Sequence, residues 1–333
     1  MIPFRRSIVA PLVLSVVLSS VAGILTGAAA AAERLRVRLD WLPTSNHLAF
    51  HLATEKGWFT SRGLDVQIED GSGSGVTVQA VGGGRVDIGQ ASLAVMTTAR
   101  DKGLPLKSVA GILRRGDLGI VVPEGSGLKS PKDFEGKRVI YTPGSVEAPF
   151  LAPFFKGSLD KVNLIGVDAA AKAPTYLSGR GDAFITLVPS YIPLFKSQRP
   201  SEYILFSDFG LPMPSLGLFV TEETLRTRRE AVCAFVDAVL QGWQYILDGH
   251  EGEGVDALIK QRPQAGLPSR AILLAMVEAY RPFYDTPATK GRPLGWQAEE
   301  DWAQALKVMG DAGVVRKGLR PADFYTNECI RAR

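Results

Sequence analysis

Short stretches in which polar and apolar residues alternate recur along the chain, and helix-compatible sequence lies between them. The first five are RLRVRL (34–39), GLDVQIED (63–70), RVDIG (85–89), LKSVAGI (106–112) and LGIVVP (118–123). Alternation with a period of two predicts β-strands. Strands that alternate with helices predict an α/β fold with a largely parallel sheet, in which ligand sites lie beyond the carboxyl ends of the strands.

A second α/β unit is predicted after the LGIVVP strand. Strand-like runs follow in RVIY, DKVNLIGVD, GDAFITLVP and EYILFSD, after which a β pattern returns at LGLFVTEE and helices continue almost to the end. We therefore predict that lobe 1 covers 33–121 and 213–333, its second part carrying the C-terminal helices, and that lobe 2 covers 122–212 as an insertion. Two crossings between the lobes, near Gly119–Pro123 and near Leu211–Ser215, would act as a hinge.

The N-terminal segment has the pattern of a secretory signal peptide, predicted over residues 1–32. It begins with Arg5 and Arg6, continues with an apolar run from Ile8 to Leu25, and ends in a small-residue tail with several A-x-A sites. A membrane anchor is the alternative, because the run approaches spanning length. Polar and small residues within the run favour cleavage, so we expect a soluble protein exported to the periplasm.

The charge balance and the cysteines limit the possible function classes. The chain carries 38 Lys and Arg against 34 Asp and Glu, whereas nucleic-acid binding requires a clustered basic surface, so we expect no nucleic-acid partner. Cys233 and Cys329 are the two cysteines of the sequence. An oxidising compartment permits a disulfide between them, and a buried free thiol at Cys233 is the alternative.

The segment LDWLPTSNHLAFHLATEKGWF (39–59) places a Trp and an Asn-His pair between a strand and a helix. Trp41 offers a flat face for a ring-shaped ligand, and Asn46 can cap a helix whose first amides face the strand ends. The alternative is that Trp41 packs in the core and Asn46 is only a cap. His47 lies close enough to the helix start to touch a ligand. Its spacing from His51 permits zinc, but we favour helix packing and predict no metal.

Two glycine-rich loops precede predicted helices, GSGSG (71–75) and TPGSVEAP (142–149). Such turns can hold anions with backbone amides. GSGSG, however, lacks the Lys-Ser/Thr pair of a nucleotide-hydrolysing P-loop and the spacing of a dinucleotide site. We expect both loops at the rim of the cleft, facing each other across the lobes and holding polar ligand edges. The sequence has no G-x-S-x-G, and we predict neither a catalytic residue nor a cofactor.

The segment 39–59 resembles the start of the mature chain in periplasmic solute-binding proteins of ABC importers, in the branch of thiamine-pyrimidine precursor binders. The likeness continues in order through QAVGGGRVDIGQAS, LKSPKDFEGKRV, GDAFI and FGLPMPSLGLFVTEE. It implies a two-lobed clamp of the type II periplasmic binding protein fold. The clamp would act as a monomer and deliver a small solute to an inner-membrane permease with a separate ATPase subunit. By the family pattern, the ligand contacts are Trp41, Asn46, His47, Gln90, Ser92, Gly144, Ser145, Thr186 and Tyr191.

The sequence departs from the pattern of that branch at two places. Thr44 stands where the branch has the first Asn of P-N-x-N-H, and ITLVPSYIP, after the GDA strand, contains no acid to hold an aminopyrimidine edge. A thiamine pyrimidine precursor remains the preferred ligand within a broader class of small heterocyclic or aromatic solutes. The alternatives are an alkanesulfonate, nitrate or an aromatic acid, which relatives on this fold bind.

Eukaryotic thiamine pyrimidine synthases are the alternative of another class, because the resemblance extends to them. They are similar in fold but require a Lys and a His just after the third strand, together with a cysteine-rich motif downstream. This sequence has Ala91 and Val95 where those residues should fall, and its two cysteines form no cluster. The resemblance therefore favours a binding protein over an enzyme.

Overall fold

The computed structural model describes residues 1–3, 32–263 and 266–331. The predicted signal peptide lies almost entirely outside the described residues. Residues 32–333 form one compact unit. Within its described part, no helix has both the length and the apolar character that a membrane span requires.

Ten strands form two five-stranded sheets. In chain order they are β1 Glu33–Arg38, β2 Leu64–Glu69, β3 Ile88–Ser92, β4 Leu106–Gly111, β5 Leu118–Pro123, β6 Arg138–Tyr141, β7 Asn163–Gly166, β8 Ala183–Leu187, β9 Ser201–Leu205 and β10 Leu216–Thr221. The first sheet has the order β2-β1-β3-β10-β4 and the second has the order β7-β6-β8-β5-β9. The two sheets therefore repeat one arrangement, in which β10 and β5 occupy equivalent places.

The sheets are largely parallel, as predicted, because four strands of each sheet run in the same direction. One strand in each sheet runs against them, and the sequence did not indicate this reversal. The antiparallel strands are β10 and β5, which enter each sheet from the other one. Leu118, the first residue of β5, pairs with Leu187 at the end of β8, and Leu216 pairs with Ser92 at the end of β3. A strand that arrives at the carboxyl ends of its neighbours has to run in the opposite direction to them.

The α-helices of the described residues are α1 Leu48–Glu55, α2 Ser74–Gly82, α3 Leu93–Asp101, α4 Leu151–Phe155, α5 Ala169–Leu177, α6 Ile192–Phe195, α7 Glu222–Thr227, α8 Arg229–Tyr245, α9 Glu251–Gln261, α10 Arg270–Tyr280 and α11 Glu299–Asp311. The long α8 packs against α1 through Gly242, where an added Cβ would lie 2.8 Å from the Ala49 carbonyl oxygen. This close approach fixes α1, and with it the turn that precedes α1.

The third strand begins later than the sequence predicts. The predicted strand is 85–89, whereas β3 covers Ile88–Ser92. Asp87, just before the strand, is held against β1 by both its side chain and its backbone. Its carboxylate accepts the backbone N–H of Arg36 (2.8 Å) and pairs with the Arg36 guanidinium (3.0 Å), and its own N–H donates to the Arg36 carbonyl (2.8 Å).

Two segments connect the sheets, residues 112–117 between β4 and β5 and residues 206–215 between β9 and β10. They contact each other directly: the Ser215 N–H donates to the Leu113 carbonyl (3.3 Å), and the Ser215 hydroxyl donates to the Asp117 carboxylate. Asp117 is fully buried. The crossing predicted near Leu211–Ser215 falls within the second connecting segment. The crossing predicted near Gly119–Pro123 is wrong, because those residues belong to β5 and the chain passes between the sheets just before them. The predicted lobe boundaries stay a prediction.

Cys233 and Cys329 form a disulfide, with their Cα atoms 4.6 Å apart. The alternative of a free buried thiol at Cys233 is therefore wrong. The bond ties α8 to the C-terminal segment across a sequence separation of 96 residues. Because a cross-link restricts the unfolded chain, closing a loop of that length stabilises the fold by roughly 4–5 kcal/mol.

Candidate functional site

A narrow cavity lies where the carboxyl ends of the two sheets face each other. Its volume is about 20 Å³, enough for about one water molecule. Every lining residue lies at or beyond the carboxyl end of β1, β2, β6, β7 or β8, as expected for an α/β fold. The lining residues are Asp40, Trp41, Thr44, Asn46, Ser74, Ser145, Val146, Glu147, Lys172, Thr186, Leu187, Ser190 and Tyr191.

Trp41 joins the two halves of the molecule across the cavity. It follows β1 after two further residues, and its indole Nε1–H donates to the phenol oxygen of Tyr191, which follows β8 (3.0 Å). Burial raises the pKa of the Tyr191 phenol, so this group stays neutral at physiological pH. The contact places an aromatic ring from each half at the cavity.

Asp40 and His47 form a buried pair beside Trp41. The backbone N–H of Thr44 points to Nδ1 of His47 (3.4 Å), and Nε2 of His47 lies 3.0 Å from the Asp40 carboxylate. This network assigns the hydrogen to Nε2, which donates it to Asp40. Gln90 supports the same turn by accepting the Asp40 backbone N–H (3.3 Å). His47 and Gln90 therefore position Asp40 from behind the cavity wall.

Asn46 is held by Tyr280, the last residue of α10. Its amide Nδ2 donates to the phenol oxygen of Tyr280 on α10 (2.8 Å), and the Tyr280 hydroxyl is hydrogen-bonded to Ser190. Tyr280 is fully buried. Because Ser190 belongs to the other half of the cavity, Tyr280 forms a second link between the two walls.

Glu147 and Lys172 form a fully buried ion pair in the second wall. The Lys172 ammonium donates to Oε1 of Glu147 (2.5 Å), and the Thr142 backbone N–H donates to the same oxygen (2.9 Å). Burial lowers the pKa of Lys172, while the adjacent carboxylate opposes that effect. The ammonium nitrogen also lies 5.3 Å from the ring centroids of both Trp41 and Phe184. The pair thus faces the indole contributed by the first half.

The two predicted glycine loops contact each other directly. The Gly75 N–H donates to the Gly144 carbonyl oxygen (2.9 Å), and a Cβ at Gly75 or Gly73 would lie 2.6 or 2.8 Å from that oxygen. Gly144 itself has φ +75°, which favours glycine. The loops therefore meet at the rim, as expected, but the Gly144 carbonyl is used by the opposite loop.

The predicted site residues divide into two groups. Five line the cavity: Trp41, Asn46, Ser145, Thr186 and Tyr191. The other four lie behind or beside its wall: His47, Gln90, Ser92 and Gly144. Ser92 caps α3 by accepting the Val95 N–H (3.4 Å). The sequence reasoning missed the three charged lining residues, Asp40, Glu147 and Lys172, although Asp40 and Glu147 lie within the two segments that it singled out.

The His47, His51 and Glu55 positions do not converge on a metal site. Nδ1 of His51 lies 2.9 Å from the Gln261 amide oxygen, and burial lowers the pKa of His51 to about 4. The described ranges 32–263 and 266–331 contain no group of three or more His, Cys, Asp or Glu side chains arranged to hold a metal ion.

Comparison with known proteins relates this geometry to a family. Residues 44–251 match the NMT1/THI5-like family. A formylaminopyrimidine-binding protein of Halalkalibacterium halodurans is 27% identical over 298 residues, which cover 85% of this chain and 90% of the relative. A 4-amino-5-hydroxymethyl-2-methylpyrimidine phosphate synthase of Saccharomyces cerevisiae is 30% identical over 110 residues, which cover 33% of this chain and 32% of the enzyme.

A solved structure shares the whole architecture. The alkanesulfonate-binding protein SsuA of Xanthomonas axonopodis pv. citri, bound to MOPS, superposes with a TM-score of 0.68 at 18% identity, over 89% of this chain and 99% of that chain. At this identity the likeness shows the fold alone. The predicted fold class, a two-lobed α/β fold of the periplasmic binding protein type, is confirmed.

Proposed function

The chain belongs to the NMT1/THI5-like family, and from this premise we propose that it is the substrate-binding component of an ABC importer. Its ligand is a small flat heterocycle, with a thiamine pyrimidine precursor as the preferred candidate. The observation that carries the proposal is the Trp41 indole, which lines a narrow cavity between two sheets and is linked to Tyr191 in the opposite wall. A relative that matches over most of both chains is a formylaminopyrimidine-binding protein, which supports the preferred ligand.

The aromatic lining of the cavity favours a flat ligand. The cavity volume is about 20 Å³, so any solute larger than water requires the walls to separate. Stacking on an aromatic ring adds about 0.5–1.5 kcal/mol beyond the burial of area. A flat ring beside Trp41 would gain this energy with the smallest separation of the walls.

Ligand capture proceeds by closure of the two halves. The walls touch through Trp41 and Tyr191, through Tyr280 and Ser190, and at the glycine loops. A ligand enters when these contacts open, and it shifts the balance towards the closed form by its differential affinity for that form. Closure also brings the rims of both halves into one surface, which the permease of the importer would contact. In this proposal the protein is a periplasmic monomer.

An enzymatic function is the second candidate, because the Saccharomyces cerevisiae synthase matches one third of the chain. Lys172 is a buried amine at the cavity, which is the kind of group that forms a Schiff base with an aldehyde cofactor. Burial lowers the pKa of Lys172, but the hydrogen bond to Glu147 opposes that effect and holds the amine against the cavity wall, which disfavours nucleophilic attack. We therefore propose binding without chemistry. Turnover in the presence of pyridoxal phosphate and iron would overturn this choice.

The test is identification of the natural ligand followed by a binding panel. Mass spectrometry of small molecules that remain through purification gives candidates, and a thermal-shift panel ranks them. A ligand at about 100 times its dissociation constant adds roughly 2.7 kcal/mol to the free energy of unfolding. We expect an aminopyrimidine to give this shift. Absence of any shift with aminopyrimidines removes the preferred ligand, and absence of a shift over a broad panel of small solutes contradicts the importer role.

A further inference from the structure

Glu147 has one oxygen whose bonding is incomplete. Oε1 accepts two hydrogen bonds, from Lys172 and from the Thr142 backbone, whereas Oε2 has no partner in the part of the chain that the structure describes. The residue is completely buried and lines the cavity. A buried carboxylate oxygen without a donor is costly, and native structures rarely leave one without a reason. The missing partner has to be a hydrogen-bond donor.

Lys172 cannot serve the cavity as a site for anions. Its ammonium lies 2.5 Å from Glu147, and no other Lys or Arg is among the described residues that line the cavity. A cation that is already paired with a carboxylate has little field left for a second anion. Sulfonate or nitrate would find no free basic side chain in this wall.

Asp40 adds a second acid to the lining. It accepts a hydrogen bond from Nε2 of His47, in an arrangement that leaves the imidazole neutral. The formal charges of the lining are therefore two carboxylates, Asp40 and Glu147, against one ammonium, Lys172. In a region of low dielectric constant, one excess negative charge favours a neutral or cationic ligand and repels an anionic one.

Resting on the proposed function, we infer that Glu147 determines specificity by accepting an N–H group from a nitrogen heterocycle that stacks on Trp41. The ligand class is a neutral or cationic heterocyclic amine. Alkanesulfonates, nitrate and aromatic carboxylates are excluded from the site. Lys172 is a positioning residue, because its hydrogen bond to Oε1 leaves Oε2 for the ligand.

The test compares two probes that differ in one group: 4-amino-5-hydroxymethyl-2-methylpyrimidine, a moiety named in a relative, and the analogue in which methyl replaces the amino group. Isothermal titration calorimetry gives both affinities for the wild type and for Glu147→Gln. We expect the wild type to prefer the amino probe by about 100-fold or more. Glu147→Gln should weaken binding of the amino probe by roughly 30-fold or more and change binding of the methyl analogue by no more than about 3-fold.

Two controls protect this comparison from a folding defect. Glu135→Gln removes a partly exposed carboxylate that pairs with Lys161 at the surface, and it should leave both affinities unchanged. The double variant Glu147→Gln with Lys172→Met removes both buried charges together, so no unpaired ion remains. We expect it to lose the preference for the amino probe as well, with an unchanged far-ultraviolet circular dichroism spectrum.

The outcomes separate this inference from the proposed function. Equal loss of affinity for both probes in Glu147→Gln, or a wild type without preference between them, overturns the role of Glu147. Binding of methanesulfonate or nitrate by the wild type overturns the ligand class but retains the importer component. A wild type that binds neither the two probes nor any solute of the broad panel overturns the proposed function, and this inference with it.

Discussion

The two halves of the molecule have the same strand order but place different chemistry at the same point. Beyond β1, Asp40 pairs with His47, which lies seven residues further along the same turn. Beyond β6, Glu147 pairs with Lys172, which belongs to a separate helix, α5. The first pair is local and is supported by backbone groups, whereas the second is a tertiary ion pair with both charges buried. One topology therefore supplies an aromatic residue and a buried acid on each side, with a local partner for Asp40 and a distant partner for Glu147.

The difference suggests that the two pairs serve different purposes. A buried ion pair adds little stability compared with apolar residues of the same size, because removing both charges from water is costly. A neutral imidazole next to a carboxylate avoids most of that cost. The Glu147–Lys172 pair has the larger desolvation cost. It lies on the wall where one oxygen of Glu147 has no partner among the described residues. We therefore assign a role in ligand binding to the Glu147–Lys172 pair and a structural role to the Asp40–His47 pair.

The largest expected effect tests this contrast directly. Lys172→Met leaves the Glu147 carboxylate buried without its counter-ion, and we expect a loss of roughly 3–5 kcal/mol in the free energy of unfolding. His47→Gln retains a donor towards Asp40, so its loss should be only about 1–2 kcal/mol. Urea unfolding at neutral pH measures both. Equal losses in the free energy of unfolding for the two variants would contradict the distinction between the two pairs.

The next prediction concerns the two connecting segments, where Asp117 accepts a hydrogen bond from Ser215. Burial raises the pKa of Asp117 to about 7, and the nearby Asp40 carboxylate acts in the same direction. The folded state therefore holds a proton that the unfolded chain has already released. This stabilisation is complete below about pH 4, declines as the pH rises towards 7, and is absent above that value.

Asp117→Asn isolates this effect, because Asn keeps an acceptor for Ser215 but cannot ionise. We expect its free energy of unfolding to rise relative to the wild type by roughly 2–4 kcal/mol between about pH 5 and pH 8. Asp160→Asn, at an exposed position, should show no such change. A constant difference between Asp117→Asn and the wild type across this range would contradict the raised pKa.

The third prediction compares the two aromatic residues that meet across the cavity. Trp41→Ala removes the stacking surface, and we expect roughly 10- to 100-fold weaker affinity for a flat ligand, which is about 1.4–2.8 kcal/mol. Tyr191→Phe removes only the acceptor of the indole hydrogen bond, so the loss should be about 3- to 10-fold. Titration calorimetry with the ligand found in the panel measures both. A larger effect for Tyr191→Phe would place the main contact on the second wall.

The fold could be predicted from the sequence because its signals are local. Period-two runs predicted strands close to their observed bounds, and β4 and β5 differ from prediction by at most one residue at either end. The reversed direction of β5 and β10 was not predicted, because these strands run against their neighbours only as a consequence of entering from the other sheet. The hydrophobic period and the residue spacing within a segment contain no information about the path of the chain between the two sheets.

The site was predictable only where its residues share one segment with a recognisable pattern. Trp41 and Asn46 follow β1 directly, so their place at the cavity could be expected. Lys172 lies on α5 in the run AAAKAPTYL, where a single Lys has the pattern of a solvent-facing helix residue. Its burial depends on Glu147, which is 25 residues away. His47 was expected near the ligand, but its contacts with Thr44 and Asp40 occupy both ring nitrogens.

The smallest expected effect tests whether the two halves of the molecule close around the ligand. Gly75 lies within α2, and an added Cβ would lie 2.6 Å from the backbone oxygen of Gly144 in the opposite loop. Because that oxygen belongs to backbone, the clash opposes closure, whereas alanine suits the helix itself when the loops are apart. We expect Gly75→Ala to weaken ligand affinity by about 10-fold, or about 1.4 kcal/mol, while the free protein unfolds as the wild type does.

The variant Gln79→Ala, which changes an exposed side chain of the same helix, is the matched control. It should leave affinity unchanged, so that a loss seen only in Gly75→Ala comes from the contact with Gly144. Small-angle scattering gives an independent measure, since the ligand should contract the wild type more than Gly75→Ala at equal saturation. If both variants contracted and bound as the wild type does, the contact between the glycine loops would have no part in closure, and the two walls would have to be held together by the aromatic and Tyr280 links alone.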